Sequence, residues 1–124
     1  MTGVVVDASA LAAVLFDEPE AADVQRALSG RALHTTTLVD YELANTALKK
    51  LRREPSRAEA LLAALQAVQH LSMSRTTPDM VQVLALAAAT NLTAYDASYL
   101  WVARTLGLPL VTLDRALARA AERL

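Results

Sequence analysis

The feature that most constrains this chain is a repeated alternation of short apolar runs with stretches of helical periodicity. Val4-Val-Val6 is β-branched and continuously apolar, as a strand buried on both faces should be. Ala32 to Thr35, Leu71 to Ser74 and Leu110 to Thr112 read as three more strands. The order is β-α-α-β-α-α-β-α-α-β-α. It predicts an α/β chain, a three-layer α/β/α sandwich with a central parallel sheet. The 124 residues suit one domain over 1–124, with about two-thirds of the unfolded surface buried.

Stop and start signals place the helices. Asp7 sits at the cap of a helix over Ala8 to Phe16, and Asp17-Glu-Pro-Glu20 opens a second that stops at Gly30. Thr37 begins a third, with Tyr41, Ala44, Leu48 and Leu51 on one face, and Pro55 breaks it. Ser56-Arg-Ala-Glu59 reads as a capping box ahead of Leu61, Leu62, Leu65 and Val68, which recur at helical spacing. Thr77-Pro78 supplies an N-cap and a first-turn proline for a helix to Ala89, ended by Asn91. Thr93 caps the next, which runs to Gly107, and the last spans Arg115 to Leu124.

Four acids fall where this pattern turns from strand to helix. Asp7 closes the first strand and Asp114 the last, while Glu42 and Asp96 lie in early helical turns. In an alternating chain those places share the carboxyl edge of the sheet, where ligands bind. Acids gathered there repel one another unless a cation holds them. Oxygen ligands without His or Cys suit Mg²⁺ or Mn²⁺ rather than zinc. A bound ion of that kind makes hydroxide from water and stabilises charge on a phosphate under attack. Each acid also fits a plainer role. Asp7 and Asp114 are good N-cap residues, Thr93-Ala-Tyr-Asp96 fits a capping box, and caps themselves collect at this edge. Glu42, deeper in its helix, is harder to explain as a cap. Ser9, Thr112 and Asn45 lie close enough in sequence to support the acids.

Composition removes other classes. With no cysteine, thiolate metal sites, disulfides and Cys nucleophiles are excluded. His34 and His70 have no chelate spacing and suit structural positions near strand ends. The net charge of −1 argues against wholesale coating of nucleic acid. No apolar run nears the ~20 residues that span a membrane, and Asp7 interrupts the N-terminal apolar stretch before a signal-peptide core forms. The expectation is a soluble, cytoplasmic protein. Isolated Gly3, Gly30 and Gly107 make no phosphate-cradling loop. A receiver-type signalling domain would need a lysine near its last strand, but the only lysines are Lys49 and Lys50.

Together, Val4-Val-Val-Asp7-Ala-Ser9, Glu42, Tyr95-Asp96-Ala-Ser-Tyr99 and Leu110-Val-Thr112-Leu-Asp114 resemble the PIN-domain ribonucleases. The short form is most similar to VapC-type toxins of toxin–antitoxin pairs. The resemblance covers essentially the whole chain and implies a PIN-like sandwich. It implies Asp7, Glu42, Asp96 and Asp114 as catalytic acids, with Asp7, Asp96 and Asp114 on the metal and Ser9 and Thr112 supporting the pocket. The implied reaction is Mg²⁺- or Mn²⁺-dependent endonucleolytic cleavage of RNA by an activated water. The implied partners are an RNA substrate, a cognate antitoxin and a second copy of the chain. Some relatives carry another acid shortly after the last; here Arg115, Ala116 and Leu117 follow Asp114, which leaves a second metal site open.

The alternatives are a catalytically silent partner-binding module and a metal-dependent DNA nuclease. Lys49, Lys50, Arg52, Arg53 and Arg57 cluster around Pro55. They suit either phosphate contacts or a solvated helix end whose cations complement the dipole. Tyr95 and Tyr99, a turn apart, read as core or dimer contacts. An apolar groove along the hairpin from Thr37 to His70 would suit an amphipathic partner helix.

Overall fold

The computed structural model describes residues 2–123. Four strands, β1 (Gly3–Val6), β2 (Ala32–Thr36), β3 (Met73–Thr76) and β4 (Leu110–Val111), form one sheet in the order β3-β2-β1-β4. All three pairings are parallel, with Val5 opposite both His34 and Leu110. The helices are α1 (Ala8–Leu15), α2 (Ala21–Leu28), α3 (Val39–Arg53), α4 (Ala58–Val68), α5 (Met80–Thr90), α6 (Ala94–Leu106) and α7 (Arg115–Glu122). The expected order of elements is the observed one. Leu124, expected at the end of the last helix, lies outside the described residues. Among the described residues, no helix is long and apolar enough to cross a membrane.

Period-two alternation in β1 sends successive side chains to opposite layers. Val6 packs with α1 to α4 through Leu11, Phe16, Val24, Val39, Leu43 and Leu61. Val5 packs on the other face with Tyr99, Leu100, Val102 and Leu117 of α6 and α7. A central parallel strand buried on both faces therefore joins two cores. The chain moves outward from β1 through β2 to β3, then returns to place β4 on β1's other side. The strand order reverses between β1 and β4, and a ligand crevice in such sheets opens at that reversal.

Several boundaries differ from the sequence reading for identifiable reasons. Thr37 does not open α3: its N–H donates to the Thr76 carbonyl, and Thr36 Oγ1 accepts from Leu38 N, so the sheet edge claims both residues. The buried stripe of α3 is Val39, Leu43 and Ala47, whereas Tyr41 is 79% and Leu48 38% exposed. Two i, i+4 stripes compete on this helix. The aliphatic one is buried, and the one led by the polar-tipped tyrosine faces out.

The expected capping box at Ser56 to Glu59 is absent. Pro55–Arg57 form a 3₁₀ turn, and Arg57 precedes α4 with no side-chain cap. Leu71 N–H closes the end of α4 on the Val68 carbonyl, which shifts β3 two residues beyond the expected Leu71 to Ser74. Asp79 rather than Thr77 caps α5, accepting from Gln82 N at 3.1 Å. Pro78 holds Thr77 extended, so the next good cap residue takes the position. Asn91 and Gly107 end α5 and α6 in left-handed conformations, as expected.

Candidate functional site

Asp7 lies at the reversal point, where β1 gives way to α1. It is 3% exposed. Its Oδ1 accepts from Ala10 N at 3.0 Å and Ser9 Oγ at 2.8 Å, while Oδ2 accepts from Thr112 Oγ1 at 2.5 Å. Thr112 Oγ1 accepts in turn from Asp114 N, and Ser9 Oγ from Leu113 N, each at 3.0 Å. Each hydroxyl has one proton and gives it to Asp7. The 3.4 Å approach of Ser9 Oγ to Thr112 Oγ1 is therefore a contact without a bond of its own. The network fastens the end of β1 to the end of β4.

Asp114 caps α7 through Oδ1, which accepts from Leu117 N at 2.9 Å. Asp96 lies in the first turn of α6, where its N–H donates to Thr93 Oγ1 at 3.1 Å. Glu42 comes from the opposite layer. Its Oε1 accepts from Tyr99 Oη at 2.7 Å, so a bond between α3 and α6 spans the two helix layers. The sequence reading placed Tyr99 only as a core or dimer contact and missed this link. Its position one turn after Asp96 on the same helical face was the available signal.

Three of the four acids carry raised pKa values. Burial raises the Asp7 pKa, hydrogen bonds from Thr112, Ala10 and Ser9 oppose the rise, and Asp114's charge adds to it. Burial also raises Glu42, partly offset by the Tyr99 bond, with further upward pushes from Asp7 and Asp96. Asp96 is raised by burial and then by Asp114 and Asp7. Burial and the adjacent Glu42 hold the Tyr99 hydroxyl protonated. Among the described residues, the ion pairs are Arg26–Asp23, Lys50–Glu18 and Arg75–Asp40, so no cation neutralises the site acids.

Among the described residues no three acids stand close enough to chelate one ion directly. The sequence reading put Asp7, Asp96 and Asp114 on a metal. The structure brings them within electrostatic range at one edge but not into a closed cage, as expected for uncompensated anions. The donors nevertheless fit a hydrated hard cation, because Mg²⁺ typically takes one or two carboxylates and completes its shell with water. Glu42 Oε2 and Asp114 Oδ2 accept no protein hydrogen bond among the described residues. Asp7 Oδ2 also accepts only one of the two bonds its lone pairs allow.

An open cleft of about 590 Å³ exposes Glu42 and Asp96, with Ser9, Asn45, Lys49, Tyr41 and Tyr95 on its walls. Of the basic cluster around Pro55, Lys49 reaches this cleft, whereas Lys50 is taken by Glu18 at 3.4 Å and lies over the Phe16 ring. Arg75 clamps Asp40. His34 is in β2, against Gly3, in a structural position, and His70 lies in the turn after α4.

The PIN domain profile matches residues 4–123, nearly the whole chain. The chain belongs to the PIN domain family. Ribonuclease VapC3 of Pyrobaculum aerophilum is 37% identical over 119 residues, covering 92% of this chain and 91% of that protein. The crystal structure of PAE2754 from Pyrobaculum aerophilum superposes with a TM-score of 0.80 at 32% identity, covering 98% of this chain and 86% of that one. VapC20 of Mycobacterium tuberculosis, a toxin that cleaves the sarcin–ricin loop, shares the PIN fold at a TM-score of 0.68 and 18% identity, covering 95% of each chain.

Proposed function

We propose that this PIN-domain chain is a divalent-metal-dependent endoribonuclease and the toxin of a VapBC-type toxin–antitoxin pair. The observation that carries the reading is the uncompensated carboxylate quartet at the reversal point of the sheet, beside an open cleft. Ribonuclease relatives over nearly the whole chain support the substrate class.

In this reading Asp7, Asp96 and Asp114 would hold a hydrated Mg²⁺ or Mn²⁺, in part through its waters. When bound, the ion supplies a water of lowered pKa and charge stabilisation at the phosphate. Ser9 and Thr112 fix Asp7 and favour its charged form against the burial that raises its pKa, because every proton they own is committed to it. Glu42, anchored through Oε1 by Tyr99, keeps Oε2 as a proton acceptor for the attacking water. The burial that raises its pKa also makes it a stronger base.

The 124 residues act as one domain. The partners in this reading are RNA, a cognate antitoxin that blocks the cleft, and a second copy of the chain, and the place of action is the cytoplasm. Met80, Val81 and Leu84 of α5, exposed by 55%, 81% and 71%, offer an apolar face for self-association. The test is cleavage of cellular RNA by purified protein with Mg²⁺, with Mn²⁺ and with EDTA, with the RNA ends mapped. Discrete ends only with metal, lost in Asp7→Asn, are expected. Undiminished cleavage in EDTA would overturn the metal mechanism.

A further inference from the structure

Each of the two helices that deliver an acid to the cleft carries a tyrosine immediately before that acid. Tyr41 precedes Glu42 on α3, and Tyr95 precedes Asp96 on α6. Neighbouring residues on a helix point about 100° apart. When the acid turns inward, the ring before it therefore stands out. Tyr41 is 79% and Tyr95 59% exposed, and both line the cleft that holds the acids. Tyr99, on the inward face of α6, is fully buried and bonded to Glu42. The chain therefore buries one tyrosine at this centre and leaves two with free aromatic faces.

The wall has an order to it. Tyr41, Asn45 and Lys49 recur every four residues along α3 and all line the cleft. They form one stripe of ring, amide and cation about 12 Å long. Lys49 has no carboxylate within ion-pair distance among the described residues, whereas its neighbour Lys50 is held by Glu18. An aromatic face beside a phosphate-directed centre, with a free cation two turns away, matches the alternating bases and phosphates of a single strand. Base–aromatic stacking and a cationic track are the usual means of holding unpaired nucleic acid.

We propose that Tyr41 and Tyr95 are positioning residues that stack on unpaired bases either side of the scissile phosphate, while Lys49 takes a neighbouring phosphate. The inference rests on the ribonuclease reading and deepens it: the substrate segment is single-stranded, and a duplex, whose bases are already stacked, is excluded. Asn45 hydrogen-bonds the base edge or sugar between ring and cation.

The test compares Tyr41→Ala, Tyr95→Ala, the double variant and the two Phe variants on a single-stranded oligonucleotide cut by the wild type. Each Ala change should raise KM roughly tenfold with kcat within about twofold, since uniform binding is lost and not transition-state stabilisation. Tyr41→Phe and Tyr95→Phe should behave as wild type, because the ring and not the hydroxyl carries the contact. Melting temperatures and sedimentation should be unchanged. Unchanged KM in both Ala variants would overturn the proposal, as would Phe variants as impaired as Ala, or loss of self-association that tracks the KM effect.

Binding to the Asp7→Asn protein separates this inference from the nuclease reading. A 2-aminopurine oligonucleotide should show stacking-induced quenching that is lost in the added Tyr→Ala changes and weak for the matching duplex. Quenching without wild-type cleavage would sink the nuclease reading and retain the stacking wall. Equal binding of strand and duplex would sink the wall and leave the nuclease untouched.

Discussion

Two stretches of the same sheet edge carry acids and treat them in opposite ways. Near the end of β3, Arg75 clamps Asp40 of α3 through Nε and a terminal nitrogen, both at 3.0 Å. Two residues along α3, Glu42 joins Asp7, Asp96 and Asp114, and no cation reaches any of them among the described residues. Arginine pairing is thus used where an acid only joins two elements. At the reversal point between β1 and β4, charge is concentrated around a buried Asp7 and left without a cationic partner among the described residues. A scaffold selected for stability alone would not keep three carboxylates with raised pKa values together, and that contrast is what the proposed cation site rests on.

The comparison can be broken experimentally. The largest effect belongs to Asp7→Asn, which should lower kcat about a thousandfold or more, equivalent to about 4 kcal/mol of barrier, in a single-turnover RNA cleavage assay. Glu42→Gln should cost about a hundredfold as the loss of a general base. Tyr99→Phe, which keeps the buried ring and removes the hydroxyl that aims Glu42, should cost about tenfold in kcat with the fold intact by circular dichroism.

A further experiment concerns stability without divalent ions. The folded-state pKa values of Asp7, Glu42 and Asp96 are raised, so the folded protein binds more protons than the unfolded chain just above the ordinary carboxylate range. The stability they contribute is fully present below that range and is lost as pH climbs through the raised values. Asp96→Asn should therefore melt a few degrees above wild type at pH 7, by about 1 kcal/mol, with the gap closing below about pH 4. Added Mg²⁺ should reverse the order by stabilising the wild type more. The smallest effect is at the paired end: Arg75→Gln should cost ~0–1 kcal/mol in denaturant melts and leave kcat within about twofold.

The sequence made the architecture legible because local signals and global topology agreed. Val4 to Val6 alternates into two cores, and the cap residues Asp7, Thr93 and Asp114 all bond as expected to helix N–H groups. What misled was competition between equally good signals. The Tyr41 and Leu43 stripes on α3 have the same period, and only packing decides which is buried. Thr77-Pro78 and Asp79 both offer a start for α5. The four acids could be named from their positions at strand and helix ends. Their mutual spacing could not, because it depends on how β4 docks beside β1 and on the α3–α6 bond through Tyr99. A cap position also leaves a donor in hand: Asp114 caps α7 with Oδ1, and its Oδ2 accepts no protein hydrogen bond among the described residues.

The most direct measurement of the central claim is a calorimetric titration of Mn²⁺ into the purified protein, repeated with Asp7→Asn. Saturable binding near one ion per chain in the wild type, lost in the variant and weakening as pH falls, is the result the uncompensated acids require. No saturable uptake by the wild type, or identical uptake by both proteins, would contradict it.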